Sequence, residues 1–134
     1  MEEKLTLRIQ LFRESGQVRA EVADFVRAEL EALAGDGRTV TEETAGMLTS
    51  HLMMALHRAQ NGEPIEAPDG QEAIAAELAE VPTAVDTAQQ IADRAEQRLG
   101  ASLPPSEVAY LALHMAVLDR RSPMAQAAPE QTND

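Results

Sequence analysis

Three histidines are the residues of this chain with the most adaptable chemistry. His51 and His57 lie in one predicted helix and His114 in another. A neutral imidazole is the most common metal ligand in proteins, so a metal site is the first possibility. His51 and His57 are six positions apart, which places them roughly 120° apart around a helix, so they cannot grip one ion as an i, i+4 pair would. A site made by His51, His114 and a glutamate carries no spacing signal, and we predict no metal.

The residue patterns expected of an enzyme are missing. The chain has no cysteine and no Gly-x-Ser-x-Gly motif. Ser50 stands next to His51, but adjacent helical positions diverge by roughly 100° and do not face each other. Residues 35–37, Gly-Asp-Gly, form too short and too acidic a stretch to cradle a phosphate. We therefore predict a protein that is not an enzyme and needs no cofactor.

Composition limits the class of partner. The chain has 134 residues and a formal net charge of -12, with 23 acidic against 11 basic residues. A nucleic acid would be repelled, so we expect partners to be proteins or small molecules. No run approaches the roughly 18 apolar residues that a membrane span requires, and the N-terminus does not resemble a signal peptide. The absence of cysteine is compatible with the cytoplasm, where we expect the protein to reside.

Apolar residues recur with helical spacing along most of the chain, and aromatic residues make up only 2% of it. We predict an all-α fold, a compact five-helix bundle of antiparallel helix pairs, in a single domain over residues 1–121. The last predicted helix follows Pro104, begins at Pro105 or Ser106, and has His114 in its apolar stripe. The predicted helices span about residues 17–35, 41–60, 71–80, 83–99 and 103–118.

The two ends of the chain are less regular. Residues 4–13 alternate apolar and polar side chains, with Leu5, Leu7, Ile9 and Leu11 apolar, which by period alone indicates a strand. Because a single strand has no partner in a helical chain, a short helix or an edge strand paired across a dimer are the alternatives, and we slightly favour the helix. Residues 122–134 form a polar segment with two prolines that we expect to be a disordered tail.

Two segments resemble the signatures of a known regulatory family. Residues 47–58, with His51 followed by an apolar run and Arg58, and then the Gly62 turn, are similar to the first signature of the phosphotransferase-system regulation domain, or PRD. Residues 103–115, with Glu107 and the Leu-His pair at His114, are similar to its second signature. The resemblance extends over about residues 17–120.

This resemblance implies a five-helix bundle that commonly forms homodimers. It also implies phosphorylation on histidine by phosphocarrier proteins of the bacterial sugar phosphotransferase system. In this chain the phosphoacceptor candidates are His51 and His114, and Arg58 is a possible phosphate contact. His57 has no counterpart in the family pattern.

Two departures from the family pattern affect the functional prediction. Ser50 stands where an aspartate usually precedes the first histidine, and the chain contains neither a second such domain nor an effector domain. We expect a free-standing regulatory domain that acts in trans on an unknown partner protein. The alternative is an adaptor that keeps the PRD fold and works without phosphorylation.

The neighbours of the two candidate histidines suggest different roles. Thr49 and Ser50 flank His51, whereas branched apolar residues surround His114. We therefore expect His51 to be the more accessible phosphoacceptor. On the same reasoning, truncation of His114 should destabilise the fold more than truncation of His51.

Overall fold

The structure, a computed structural model, describes residues 2–63 and 71–122. All regular structure in these residues is α-helical, as the apolar spacing predicts, and no strand occurs in the described ranges. None of the helices in them is long and apolar enough to cross a membrane. The helices are α1 (Glu3–Glu14), α2 (Ala20–Gly35), α3 (Glu42–Gln60), α4 (Gln71–Leu78), α5 (Pro82–Leu99) and α6 (Pro105–Arg120).

The predicted count of five helices is wrong, because residues 3–14 form a sixth. Their alternating apolar residues separate into two i, i+4 pairs on a helix. Leu5 and Ile9 are buried in the core, whereas Leu7 and Leu11 are 53% and 57% exposed. The segment is therefore an amphipathic helix with additional apolar residues on its outer surface. The favoured helix is confirmed, and the strand alternative is wrong.

Local sequence signals determine where the helices around the site begin and end. Thr41 caps α3 through a reciprocal hydrogen-bond pair with Thr44, which is the capping box that these two threonines allow. Gly100 ends α5 in the left-handed region at φ 66°, a conformation that glycine adopts without steric cost. Pro105 is the first residue of α6, where its missing N–H costs nothing.

A single hydrophobic core contains buried side chains from every helix except the short α4. Leu78 of α4 packs against this core. Helix α6 contacts α3, α4 and α5, and α3 also contacts α1 and α2. The two histidine-bearing helices therefore sit side by side, supported by the rest of the fold. The core includes Leu30, Met53, Leu56, Ile91, Leu111, Met115 and Leu118.

Helix α1 is joined to α3 by polar contacts as well as by its apolar face. Arg8 Nε donates to both carboxylate oxygens of Glu42 at 3.0 Å, and its Nη1 donates to Ser50 Oγ at 2.8 Å. The backbone N–H of Glu42 donates to Glu2 Oε1 at 2.8 Å, so the N-terminal segment satisfies a free donor of α3.

The packed part of the chain extends to Ser122, the first residue of the predicted tail. Its side chain is buried, its Oγ donates to the Leu118 carbonyl at 2.7 Å, and it accepts the N–H of Thr39 at 3.0 Å. The rest of that tail, residues 123–134, lies outside the described residues.

Candidate functional site

The candidate site lies where α3 meets α6, and each helix contributes one of the two predicted phosphoacceptors. On α6, Glu107, Tyr110 and His114 are spaced by three and four residues, so they share one face. Buried leucines at positions 48 and 52 hold α3 against the core on either side of His51. The structure brings His51 and His114 together, although they are 63 positions apart in sequence.

The strongest polar contact at the site joins His51 to Glu107. His51 Nε2 lies 2.8 Å from Glu107 Oε2. The Glu107 side chain is only 9% exposed, while that of His51 is 30% exposed. A carboxylate taken out of water needs a hydrogen-bond donor, and the His51 ring supplies one. This contact was not predicted: the sequence places Glu107 in a signature, but only the structure gives it a partner.

Three rings pack against one another around this hydrogen bond. The Tyr110 ring stacks on His51 with centroids 5.4 Å apart and planes 25° apart. The His114 ring lies 5.3 Å from that of His51 at an angle of 41°, and 6.5 Å from that of Tyr110. Together with the hydrogen bond to Glu107, these contacts determine the orientation of the His51 ring.

The environment of His114 disfavours its charged form. Burial lowers the pKa of the His114 imidazole, and the positive charge that His51 can carry lowers it further. Two adjacent imidazoles that both became protonated would repel each other, so the pair opposes double protonation. His114 is therefore held as a neutral ring over more of the physiological range than a free histidine.

The other two basic candidates on α3 lie outside this cluster. His57 is one of the last residues of α3, and its ring nitrogens face the Asn61 side chain, with Nε2 at 3.0 Å. Arg58 is exposed and forms no hydrogen bond with His51. Arg58 lies nearly two helical turns beyond His51, and its contact with a phosphate stays a prediction.

Ser50, which replaces the usual aspartate, faces a different neighbour. Its hydroxyl accepts a hydrogen bond from Arg8, whose guanidinium is also paired with Glu42. Residue 50 is thereby tied to α1, and the carboxylate beside His51 comes from Glu107 of α6 instead. The sequence gives no signal for the part played by Arg8, because it lies 42 positions before Ser50.

Metal binding is the other role that histidines commonly have. Among residues 2–63 and 71–122, no group of three or more histidine, cysteine, aspartate or glutamate side chains is placed to hold a metal ion. The site is partly open to solvent through the His51 side chain, whereas Glu107 is enclosed.

The described residues form one α-helical core with a pair of histidines at the contact of two helices. The sequence matches the family model of the PRD domain over residues 37–117. The chain therefore belongs to the PRD domain family. No match was found among curated proteins or among solved structures.

The matched region contains the whole of the candidate site. It covers α3, α4, α5 and most of α6, including both histidines and Glu107. Helices α1 and α2 precede it, so the match begins later than the resemblance suggests. PRD domains in general are regulatory modules without catalytic activity that are controlled through phosphorylation by the phosphotransferase system.

Proposed function

We propose that this protein is a regulatory domain whose histidines accept a phosphoryl group from phosphocarrier proteins of the sugar phosphotransferase system. In this proposal it acts in trans on a partner protein in the cytoplasm. The observation that carries the proposal is the contact between His51 and His114, with ring centroids 5.3 Å apart, inside the region that matches the PRD domain.

His51 is the acceptor that we favour. Its side chain is 30% exposed, and its ring orientation is set by Glu107 and Tyr110. A phosphocarrier must bring its own phosphohistidine to the acceptor ring, so partial exposure and a defined orientation both support transfer. His114 is the second acceptor, and its tendency to stay neutral keeps a nitrogen lone pair available.

A phosphoryl group would change the charge of this contact strongly. It adds between one and two negative charges at neutral pH, next to the buried carboxylate of Glu107, in a chain whose net charge is already -12. Without a nearby cation the added charge would push α3 and α6 apart. Arg58, exposed on α3 and nearly two helical turns beyond His51, is the predicted cation.

The test is phosphorylation of the purified protein with phosphoenolpyruvate and the general proteins of the phosphotransferase system. Intact-mass spectrometry under non-acidic conditions should show one added phosphoryl group. His51→Asn should remove most of it, whereas the matched control His57→Asn on the same helix should not. A protein that stays unmodified while a known PRD domain is labelled would refute the proposal, and label confined to His114 would reverse the order of the two acceptors.

We also propose that the protein forms a homodimer. Several large apolar side chains are exposed on α1 and α3, namely Leu7, Leu11 and Met47, the last of them 79% exposed. Covering such residues against a second copy would remove apolar surface from water. Light scattering should give twice the chain mass of 14.5 kDa at micromolar concentrations, and Leu11→Lys should shift the value toward the monomer.

The alternative, an adaptor that works without phosphorylation, is supported by Ser50. The residue immediately before His51 is Ser50 and not a carboxylate, and the Ser50 hydroxyl is engaged with Arg8. In that case His51 and His114 would serve only to join α3 to α6. Two results separate the two functions. An adaptor would accept no phosphoryl group in the phosphorylation experiment, and it would keep its partner binding unchanged when both histidines are replaced by asparagine.

A further inference from the structure

The two nitrogens of His51 lie in different environments. Nε2 faces the Glu107 carboxylate at 2.8 Å, and this carboxylate is almost fully buried. The structure gives Nδ1 no comparable partner among the described residues. One edge of the ring is thus sealed by protein, and the exposed part of the side chain must lie elsewhere.

The geometry assigns Nδ1 of His51 as the atom that accepts the phosphoryl group, with Glu107 as the residue that positions the ring for it. This inference rests on the proposed function, and it adds the acceptor atom and the residue that selects it. An ionised carboxylate only accepts hydrogen bonds, so a buried Glu107 requires a proton on Nε2. In the neutral ring that proton leaves the lone pair, and therefore the nucleophilic site, on Nδ1.

Both electrostatic repulsion and lack of space disfavour phosphorylation of Nε2. A phosphoryl group on Nε2 would occupy the position now held by Glu107 Oε2 and would place its negative oxygens against a carboxylate with little access to water. On Nδ1 the phosphoryl group is kept on the far side of the imidazole from that carboxylate. Tyr110, stacked on one face of the ring, opposes a ring flip, which would move Nε2 away from Glu107.

The transfer balances without any additional reactant. The Nδ1 lone pair forms a bond to the phosphorus of the carrier's phosphohistidine, and the nitrogen–phosphorus bond of the carrier breaks. The carrier ring, which enters as a phosphorylated imidazolium, keeps the electron pair and leaves as neutral imidazole. The His51 ring then holds phosphorus on Nδ1 and a proton on Nε2, and its positive charge is offset by Glu107 in a charge-assisted hydrogen bond.

Glu107 should therefore act through the ring that it holds, without touching the phosphoryl group. Glu107→Gln keeps an uncharged oxygen that can accept a hydrogen bond from the Nε2–H group. It should preserve the Nδ1 product and slow its formation. Glu107→Ala removes the acceptor and should allow the Nε2 product to appear.

The experiment is NMR of the protein labelled with 15N-histidine, before and after phosphorylation by the phosphotransferase proteins. Before phosphorylation, His51 should show a proton on Nε2 that exchanges slowly with water, and Glu107→Ala should lose this slow exchange. After phosphorylation, the wild type should carry the Nδ1 product in roughly tenfold excess or more over the Nε2 product. Glu107→Gln should retain that excess, Glu107→Ala should reduce it several-fold, and the control Glu96→Gln, at an exposed position of α5, should match the wild type.

The possible results separate this inference from the function on which it rests. His51 phosphorylated on Nε2, or an unmodified His51 with its proton on Nδ1, would overturn the inference and leave phosphorylation of the domain intact. A protein that accepts no phosphoryl group on either histidine would instead refute the proposed function itself. Equal isomer ratios in the wild type and Glu107→Ala would show that Glu107 has only a structural role.

Discussion

Helix α3 meets its two neighbouring helices through two carboxylate contacts of different character. Toward α1, Glu42 binds the guanidinium of Arg8, which stays charged at any pH the protein meets. Toward α6, His51 binds the buried carboxylate of Glu107 with an imidazole ring, which can also act as a nucleophile. The first contact can only hold the helices together, whereas the second can also respond to a chemical change.

The two contacts also differ in their exposure to solvent. The Arg8 and Glu42 side chains are 36% and 28% exposed, while that of Glu107 is 9% exposed. A solvated ion pair contributes little and is screened by salt, but a buried carboxylate is costly when its partner is lost. The contact that contains the proposed phosphoacceptor is thus also the contact whose loss is expected to cost more.

The largest expected effect comes from removing the partner of Glu107. His51→Ala leaves a buried carboxylate unpaired and should lower the free energy of unfolding by about 2 to 3 kcal/mol. Replacing His114 by alanine should cost about 1 to 2 kcal/mol, because no described residue forms a hydrogen bond of this kind with it. This order is the reverse of the one that the flanking residues predict, because the sequence does not reveal the contact between His51 and Glu107.

Urea denaturation of the two variants measures this difference directly. The double replacement His51→Ala with Glu107→Ala should recover part of the loss, since no buried charge then remains. A larger loss for His114→Ala than for His51→Ala, or no recovery in the double variant, would show that Glu107 does not depend on His51.

The next effect is a dependence of stability on pH that originates at His114. Because burial and His51 lower the pKa of His114 in the fold, the unfolded chain binds this proton more readily. The contribution of a neutral His114 to the free energy of unfolding is therefore fully present above about pH 6.5. It is lost as the pH falls below that value, by at most about 1.4 kcal/mol per pH unit for one proton.

Denaturation at pH 7.5 and 5.5 tests this dependence. His114→Gln should flatten the response, and His51→Gln should weaken it because the nearby positive charge is gone. Glu107 and Tyr110 also face the pair, so Tyr110→Phe is the control that keeps the ring packing. An unchanged pH response in His114→Gln would assign the effect to another group.

The sequence predicts most of the fold around the site. Three local signals mark helix boundaries in the structure. Helix α3 begins after the capping residue Thr41, α5 stops at Gly100, and α6 begins at Pro105. The sequence did not decide between helix and strand for residues 4–13. Two i, i+4 pairs of apolar residues, one buried and one exposed, give the same alternating pattern in the sequence as a strand.

The site is less predictable, because its decisive contacts join distant parts of the chain. The spacing on α6 predicts that Glu107 and His114 share a face, and the family signatures identify both histidines. Nothing local indicates that Glu107 reaches His51, 56 positions earlier, or that Arg8 reaches Ser50. Both contacts depend on how α3 packs between its neighbours, which helical periodicity does not determine.

A smaller loss of stability is expected when the contact between α1 and α3 is broken. Arg8→Ala should cost about 0.5 to 1 kcal/mol after solvent screening, and the loss should shrink as salt is added. Arg8 lowers the pKa of Glu42 mainly by hydrogen bonding, so the contribution is present above the ordinary pKa of a glutamate and is lost as the pH falls through the lowered value. Between pH 5.5 and 7.5 it should stay constant, in contrast to the His114 response, and a loss that varies over this range would remove the contrast.

The smallest effect concerns Gly46, which lies beneath the Arg8–Glu42 pair. A Cβ at this position would lie 3.2 Å from Glu42 Oε1 and 3.3 Å from Arg8 Nη2, closer than ordinary contacts. Alanine is favoured over glycine inside a helix by about 1 kcal/mol, which opposes this crowding. Gly46→Ala should therefore change stability by no more than about 0.5 kcal/mol in the wild type. It should stabilise the Arg8→Ala variant by about 0.5 to 1 kcal/mol, because the guanidinium is then gone and the Glu42 carboxylate, no longer held by it, can move away from the new methyl group. A thermodynamic cycle of the four proteins by urea denaturation measures this coupling, and strictly additive values would mean that Gly46 does not accommodate the ion pair.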